Sequence, residues 1–251
     1  MSSERQIGML IFPRLTQLDM TGPFEVLARL PNTKVHLVAH SMEPVKTDRG
    51  MIIMPSVTFA VCPQLDVVMV PGGPGQQDLM EDSEVLGFLC KQAATAKYVT
   101  SVCTGSLVLG AAGLLKGKRA TCHWAAMEHL KPLGAIPTND KVVVDGNIVT
   151  GAGVTSGIDF ALRLAAILQS EEVARQIQLQ IEYDPDPPFD SGSIQKASPA
   201  MVKMIRERLA PLNAQRCEVA VRVGRSADSH AAYYVSRQEE LPKLLHRILA
   251  L

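Results

Sequence analysis

The chain has 251 residues, 47% of them hydrophobic and 20% charged, with 25 Lys/Arg balancing 25 Asp/Glu. That suits one large domain, or a domain with an appendage. It argues against disorder and leaves no room for two full enzymes. Zero net charge gives no global field to recruit nucleic acid or an anionic membrane.

No segment reads as a membrane span. The longest charge-free stretch, residues 98–115, contains Thr100, Ser101, Thr104, Ser106 and three glycines, which suit a buried strand and helix better than lipid. The apolar run before Pro13 is too short for the core of a signal peptide. Cys62, Cys90, Cys103, Cys122 and Cys217 are widely spaced and odd in number, with no C-x-x-C pair. Free thiols in a cytoplasmic protein follow, with neither a disulfide framework nor a cysteine-based metal site.

Short apolar runs alternate with helical patterns along the chain, as in an α/β sheet with helices on both faces. Residues 7–12 read as a buried strand, and Gly22-Pro23 opens a helix to about Leu30. Strands are expected at 35–39, at 65–70 before the Pro71-Gly72-Gly73-Pro74-Gly75 turn, and at 98–102. Helices are expected at 78–96 and 105–115. Residues 142–150 form a hairpin pattern about Asp145-Gly146, and two helices follow at 158–168 and 171–181. The proline-rich run 183–189 cannot be helical throughout. A helix is expected at 199–209, and 239–249 is weakly helical. The division is an α/β catalytic domain over 1–183 and a C-terminal extension over 184–251, packed on that domain or on a partner subunit.

Ser101-Val102-Cys103-Thr104-Gly105 follows an expected strand and precedes an expected helix. A nucleophile elbow needs that context, with small residues two before and two after the nucleophile. The helix N-terminus behind Cys103 favours a thiolate. This context favours a nucleophile over a small buried core cysteine. The glycines at 72–73 let backbone N–H groups approach a developing anion. Asp19 lies between the first strand and first helix, as a general acid or base near the thiolate or as a helix-capping aspartate. His123 beside Trp124 is either a Cys103 partner or a hydrogen-bonded structural histidine.

These motifs, with Ala120-Thr121-Cys122-His123-Trp124, resemble the ThiJ/PfpI superfamily, also called class I glutamine amidotransferase-like, over about residues 5–183. Within it, Gly157-Ile158-Asp159-Phe160-Ala161-Leu162 and the run from Glu182-Tyr183-Asp184-Pro185 to Phe189 are similar to the isocyanide hydratase family. The resemblance implies a flavodoxin-like three-layer α/β sandwich with a mostly parallel sheet. It implies hydration of a small isocyanide to an N-formamide through a cysteine thioimidate, in a homodimer, without cofactor or metal. It assigns the nucleophile to Cys103, the proton-transfer carboxyl to Asp19, and backbone donors beside the sulfur to Gly73 and Thr104. His123 falls in the region where some superfamily members place a triad histidine, and it is not assigned a catalytic role here.

Related regulators join such a domain to a pair of helix-turn-helix units. Residues 184–251 carry ten Lys/Arg against eight Asp/Glu in 68 positions. Two such units need roughly 100 residues and a basic face, so a DNA-binding domain is not expected there. A glyoxalase-like, deglycase or peptidase activity, and a redox-sensing role for Cys103, are the other readings.

Overall fold

The computed structural model describes residues 4–248, with side chains through 225. The elements in chain order are β1 (Arg5–Leu10), α1 (Gln17–Leu27), β2 (Thr33–Ala39), β3 (Val45–Lys46), β4 (Ile52–Ile53), β5 (Val57–Thr58), β6 (Val67–Val70), α2 (Gln76–Leu79) and α3 (Ser83–Ala93). Then come β7 (Tyr98–Val102), α4 (Gly105–Ala111), β8 (Arg119–Ala120), a 3-10 helix (Met127–Leu133), β9 (Ile136–Pro137), β10 (Val142–Asp145), β11 (Ile148–Gly151), α5 (Ser156–Leu168), α6 (Glu171–Gln180) and α7 (Pro199–Ile248).

The main sheet has the order β10-β11-β7-β6-β1-β2-β5. All its pairs are parallel except β10 with β11, the expected hairpin at one edge. At the centre, β6 is Val67-Val68-Met69-Val70 with every residue buried, the unbroken apolar run of a strand covered on both faces. From β1 the chain moves outward to β2, then returns to β6 on the other side. Right-handed crossovers in opposite directions put their helices on opposite faces. One group packs α1 on α5 and α5 on α6; the other gathers α2, α3, α4, the 3-10 helix and α7. The architecture is the α/β sandwich expected, with a mostly parallel sheet.

Several boundaries differ from expectation. The first helix begins at Gln17, so Asp19 stands in its first turn instead of in a preceding loop. Pro23 is therefore inside α1, where it removes the amide that would reach the Asp19 carbonyl. It is buried against α5, where a Cβ on Gly157 would lie 3.1 Å from its ring. The helix expected over 78–96 is broken into α2 and α3 because Asp82 caps the second piece, accepting from the amides of Glu84 (2.9 Å) and Val85 (3.2 Å).

The largest difference is α7, which runs 50 residues from Pro199 and through Pro211. Packing on the 3-10 helix, α4 and α2 holds it past the proline. Among the described residues, no helix is long and apolar enough to cross a membrane.

Candidate active site

The crevice at the carboxyl ends of the strands, where β1 and β6 diverge in connection, is the expected ligand position in such a sheet. Four chain segments meet there: the first turn of α1 after β1, residues 71–75 after β6, residues 103–104 after β7, and residues 151–152 after β11. Cys103 and Asp19, about eighty positions apart in sequence, are brought together by this topology.

Cys103 sits between β7 and α4 with φ +59°, a left-handed conformation uncommon for a residue with a side chain. Its amide is held by the carbonyls of Gly151 (3.0 Å) and Ala152 (2.9 Å). Its own carbonyl accepts from Ser106 Oγ (3.1 Å). These bonds on both sides of the residue keep the turn in its strained form. Gly105 is required by space: a Cβ there would stand 2.0 Å from the Val70 carbonyl oxygen, because α4 starts directly against the end of β6.

Asp19 is fully buried. Its Oδ2 accepts from the Gly72 amide at 3.0 Å. Its Oδ1 is buried with no hydrogen-bond partner among the described residues. Gly72 is confined too: a Cβ would come within 2.5 Å of the Thr104 nitrogen and 2.8 Å of Asp19 Oδ2. Gly73, at φ +132°, donates its amide to Thr104 Oγ1 (3.1 Å). The amide expected to stand free beside the sulfur is therefore committed to the threonine hydroxyl. The backbone group that does reach the sulfur is the Thr104 amide.

The electrostatics set opposing influences on Cys103. The helix N-terminus favours a thiolate at Cys103, but burial outweighs it and pushes the thiol up; the neighbouring Asp19 charge pushes the same way, and the Thr104 amide pulls down only in part. Asp19 is raised to about 7, chiefly by burial, against the opposing pull of Cys103 and the Gly72 amide. Cys103 therefore keeps its proton near neutral pH, where the Asp19 carboxyl is poised to give a proton up or take one back.

His123 is held low, at about 4, by burial and then by Arg216. Its Nδ1 accepts from the Ala125 amide at 3.3 Å, so it is neutral and structurally engaged. Its ring lies 5.7 Å from that of Trp124. A cavity of about 170 Å³ lies between Trp124 and residues 191–205; neither Asp19 nor Cys103 lines it.

Two further charged groups reach the site without a signal in the sequence. Asp48, held by Thr16 Oγ1 (3.2 Å), adds negative potential at Asp19. Arg216, from α7, is only 4% exposed and bonds Gln76 Oε1 at 2.8 Å. Both lie on segments whose residue types are ordinary for a loop or an exposed helix, and only the tertiary packing brings them in.

The DJ-1/PfpI family matches residues 5–167. The chain is 56% identical over 217 residues to the isonitrile hydratase of Pseudomonas putida, covering 86% of this chain and 95% of that one. It is 31% identical over 173 residues to protein DJ-1alpha of Drosophila melanogaster, covering 67% and 80%. The crystal structure of a ThiJ/PfpI family protein from Pseudomonas syringae superposes with a TM-score of 0.85 at 44% identity, covering 88% of this chain and 91% of that one.

Proposed function

The chain belongs to the DJ-1/PfpI family, and we propose that within it the protein is an isocyanide hydratase that converts R–N≡C and water to R–NH–CHO through a thioimidate on Cys103. The observation that carries this reading is the 56% identity that extends over 95% of the Pseudomonas putida isonitrile hydratase.

The site chemistry fits the reaction. The terminal carbon of an isocyanide accepts a nucleophile but has no leaving group, so attack requires a proton for the same carbon. The Cys103 sulfur forms the S–C bond while the proton shared with Asp19 passes to that carbon, giving R–N=CH–S–Cys103. Asp19, now a carboxylate, takes a proton from water as its hydroxyl adds to the carbon, then returns that proton to nitrogen. Collapse of the adduct forms the carbonyl, breaks the C–S bond and delivers the hydroxyl proton to Asp19. One water is consumed, and the sulfur and carboxyl return to their starting state. A carboxyl raised to about 7 suits a group that must give and take protons in one cycle. The unpartnered Asp19 Oδ1 is the acceptor left open for a proton in transit. The Thr104 amide steadies the charged sulfur, and Gly73 holds the Thr104 side chain.

The active unit in this reading is a homodimer. Leu179 and Phe189, on either side of the 183–189 run, are 82% and 78% exposed and offer apolar surface for a second copy. Light scattering should give twice the mass of one chain at micromolar concentration; a stable monomer would contradict it.

Purified protein is offered an aromatic isocyanide and, separately, methylglyoxal, with formamide followed by absorbance. Formamide production from the isocyanide is expected. Turnover of methylglyoxal alone would reassign the protein to a glyoxalase-like activity.

A further inference from the structure

We propose that Arg216 is a positioning residue of the Cys103 site: its guanidinium braces the Gly72–Gly73 turn from behind and supplies the positive charge that an anionic sulfur needs. The proposal rests on Cys103 being the reacting sulfur.

Arg216 is a buried cation whose hydrogen bonds all go to neutral groups. Nε donates to Gln76 Oε1 (2.8 Å), Nη1 to Asn213 Oδ1 (3.2 Å), and Nη2 makes a long contact with the Gly73 carbonyl (3.5 Å). Among the described residues no carboxylate forms an ion pair with it. A guanidinium does not surrender its proton in a protein, and burying it without a counter-charge is costly. Such a group persists where an anion forms beside it for part of the time.

The groups that can supply that anion are the sulfurs of Cys122 and Cys103; Cys122 interacts with Arg216 the more strongly and is itself pulled toward the thiolate by it, with Cys103 second. Because the guanidinium stays charged, the attraction is felt as a lower cost of ionising sulfur. Cys122 is buried and bonded to Ser106, away from the strained turn, which leaves Cys103 as the sulfur that reacts.

The bracing is mechanical as well. The Gly73 carbonyl also accepts from the Gln76 amide at 3.2 Å, so Arg216 holds the turn directly and through Gln76. Across that turn, Gly72 holds Asp19 and Gly73 holds Thr104. Asn213 fixes α7 in register by donating to the Ala125 carbonyl at 2.8 Å. A residue of the C-terminal extension is thus one hydrogen bond removed from both ends of the site.

Other titratable groups around this centre are Asp19 on α1 with Asp48 behind it, Cys122 and His123 after β8, and His129 on the 3-10 helix. The two histidines are held below their ordinary values by burial and by Arg216 itself, so they stay neutral where Cys103 titrates. Helix α4 contributes no charge.

The test is the pH profile of Cys103 alkylation by iodoacetamide, read by peptide mass spectrometry so that the exposed Cys217 does not interfere. It needs no substrate, so it separates the role of Arg216 from the identity of the reaction. R216Q should move the Cys103 midpoint upward by on the order of one pH unit, making alkylation roughly tenfold slower below it. R216K keeps the charge but loses the fork; its midpoint should stay near that of wild type while kcat for hydration falls more than KM rises. Q76E places a carboxylate on Nε and neutralises Arg216 without removing it, so it should shift the midpoint as R216Q does. It decides the matter if R216Q fails to fold. Profiles of R216Q and Q76E that coincide with wild type would overturn the proposal.

Discussion

The two sides of the Gly72–Gly73 turn are built by different means. On the front, Asp19 in the first turn of α1 and Gly72, Cys103 and Thr104 in the turns after β6 and β7 follow the ends of three neighbouring strands, β1, β6 and β7, in one sheet. Backbone ladders fix their spacing, and glycines at 72, 73 and 105 let the loops approach within van der Waals limits. On the back, α7 reaches the turn and its surroundings through single polar side chains: Arg216 to Gln76 and Gly73, Asn213 to Ala125, and Gln215 accepting from the more exposed Gln77 at 3.3 Å. The front has no space for a side chain at Gly72, Gly73 or Gly105, whereas the back makes its contacts through side chains that can be exchanged. The residues proposed to react sit on the front, and the brace proposed for them comes from the back.

Removing the sulfur should break the front outright. Cys103→Ala should have no measurable hydration and form no covalent adduct in mass spectra of the protein mixed with an aromatic isocyanide. Hydration near the wild-type rate would end the covalent mechanism.

Removing the proton relay should be the next largest effect. Asp19→Asn keeps an oxygen for the Gly72 amide but cannot exchange a proton, so kcat should fall on the order of 10²–10⁴-fold. Asp19→Glu keeps the carboxyl and misplaces it by one methylene, so its loss should be smaller. Steady-state rates of the three proteins should rank wild type, Glu, Asn.

The same residue makes a stability prediction with a defined sign. Burial raises Asp19 from 3.8 to about 7 in the folded state. Between those values the folded chain binds more protons than the unfolded one, so stability falls as pH rises through the window. Its contribution is fully present below the unfolded value and is lost above about 7. Asp19→Asn removes the cost of the buried charge, so its melting temperature should exceed that of wild type at pH 8, with the gap narrowing towards pH 5. A gap that widens on acidification would mean that the carboxylate is stabilising and that the hydrogen bond from Gly72 outweighs burial.

The front was the part legible in sequence, for a physical reason. A parallel sheet buried on both faces writes itself as apolar runs, and a strand-to-helix turn demands small residues at fixed offsets, so Ser101 to Gly105 and Pro71 to Gly75 stand out. Asp19 could be placed near the strand ends but not in its helix turn, because Pro23 reads as a helix start and is in fact tolerated within α1 by the close approach of Gly157. The donor assigned to Gly73 was not legible, since which way its amide points depends on a positive φ and on the Thr104 rotamer. The opposing pulls of the helix and the carboxyl on Cys103 were legible; the burial that outweighs the helix exists only once the loops have closed over the sulfur. The back left no trace. Arg216 is spaced like any polar residue on an amphipathic helix, and Pro211 argues locally against a helix that only tertiary packing sustains.

The smallest effect should come where the α/β unit hands over to the C-terminal extension. Tyr183, just beyond α6, donates its hydroxyl to Asp159 Oδ1 at 3.0 Å, and Lys141 stands 3.6 Å from the other carboxylate oxygen. Burial and the neighbouring Asp159 charge push the tyrosine up to about 12, so it remains a neutral donor at any working pH. The bond pins the start of the proline-rich run to α5, on the opposite helical layer from α7. Tyr183→Phe keeps the ring and removes the donor; Asp159 retains Lys141 and solvent access, so no charge is stranded. The loss should be the net worth of one partly exposed hydrogen bond to a charged acceptor, about 0.5–1.5 kcal/mol in urea unfolding. Hydration rates should stay within about twofold of wild type, since neither Arg216 nor the Gly72–Gly73 turn depends on this anchor. A large loss of activity from Tyr183→Phe would instead mean that the position of α7 is set through residues 183–198, and that the back of the site is held by its tether more than by its own side chains.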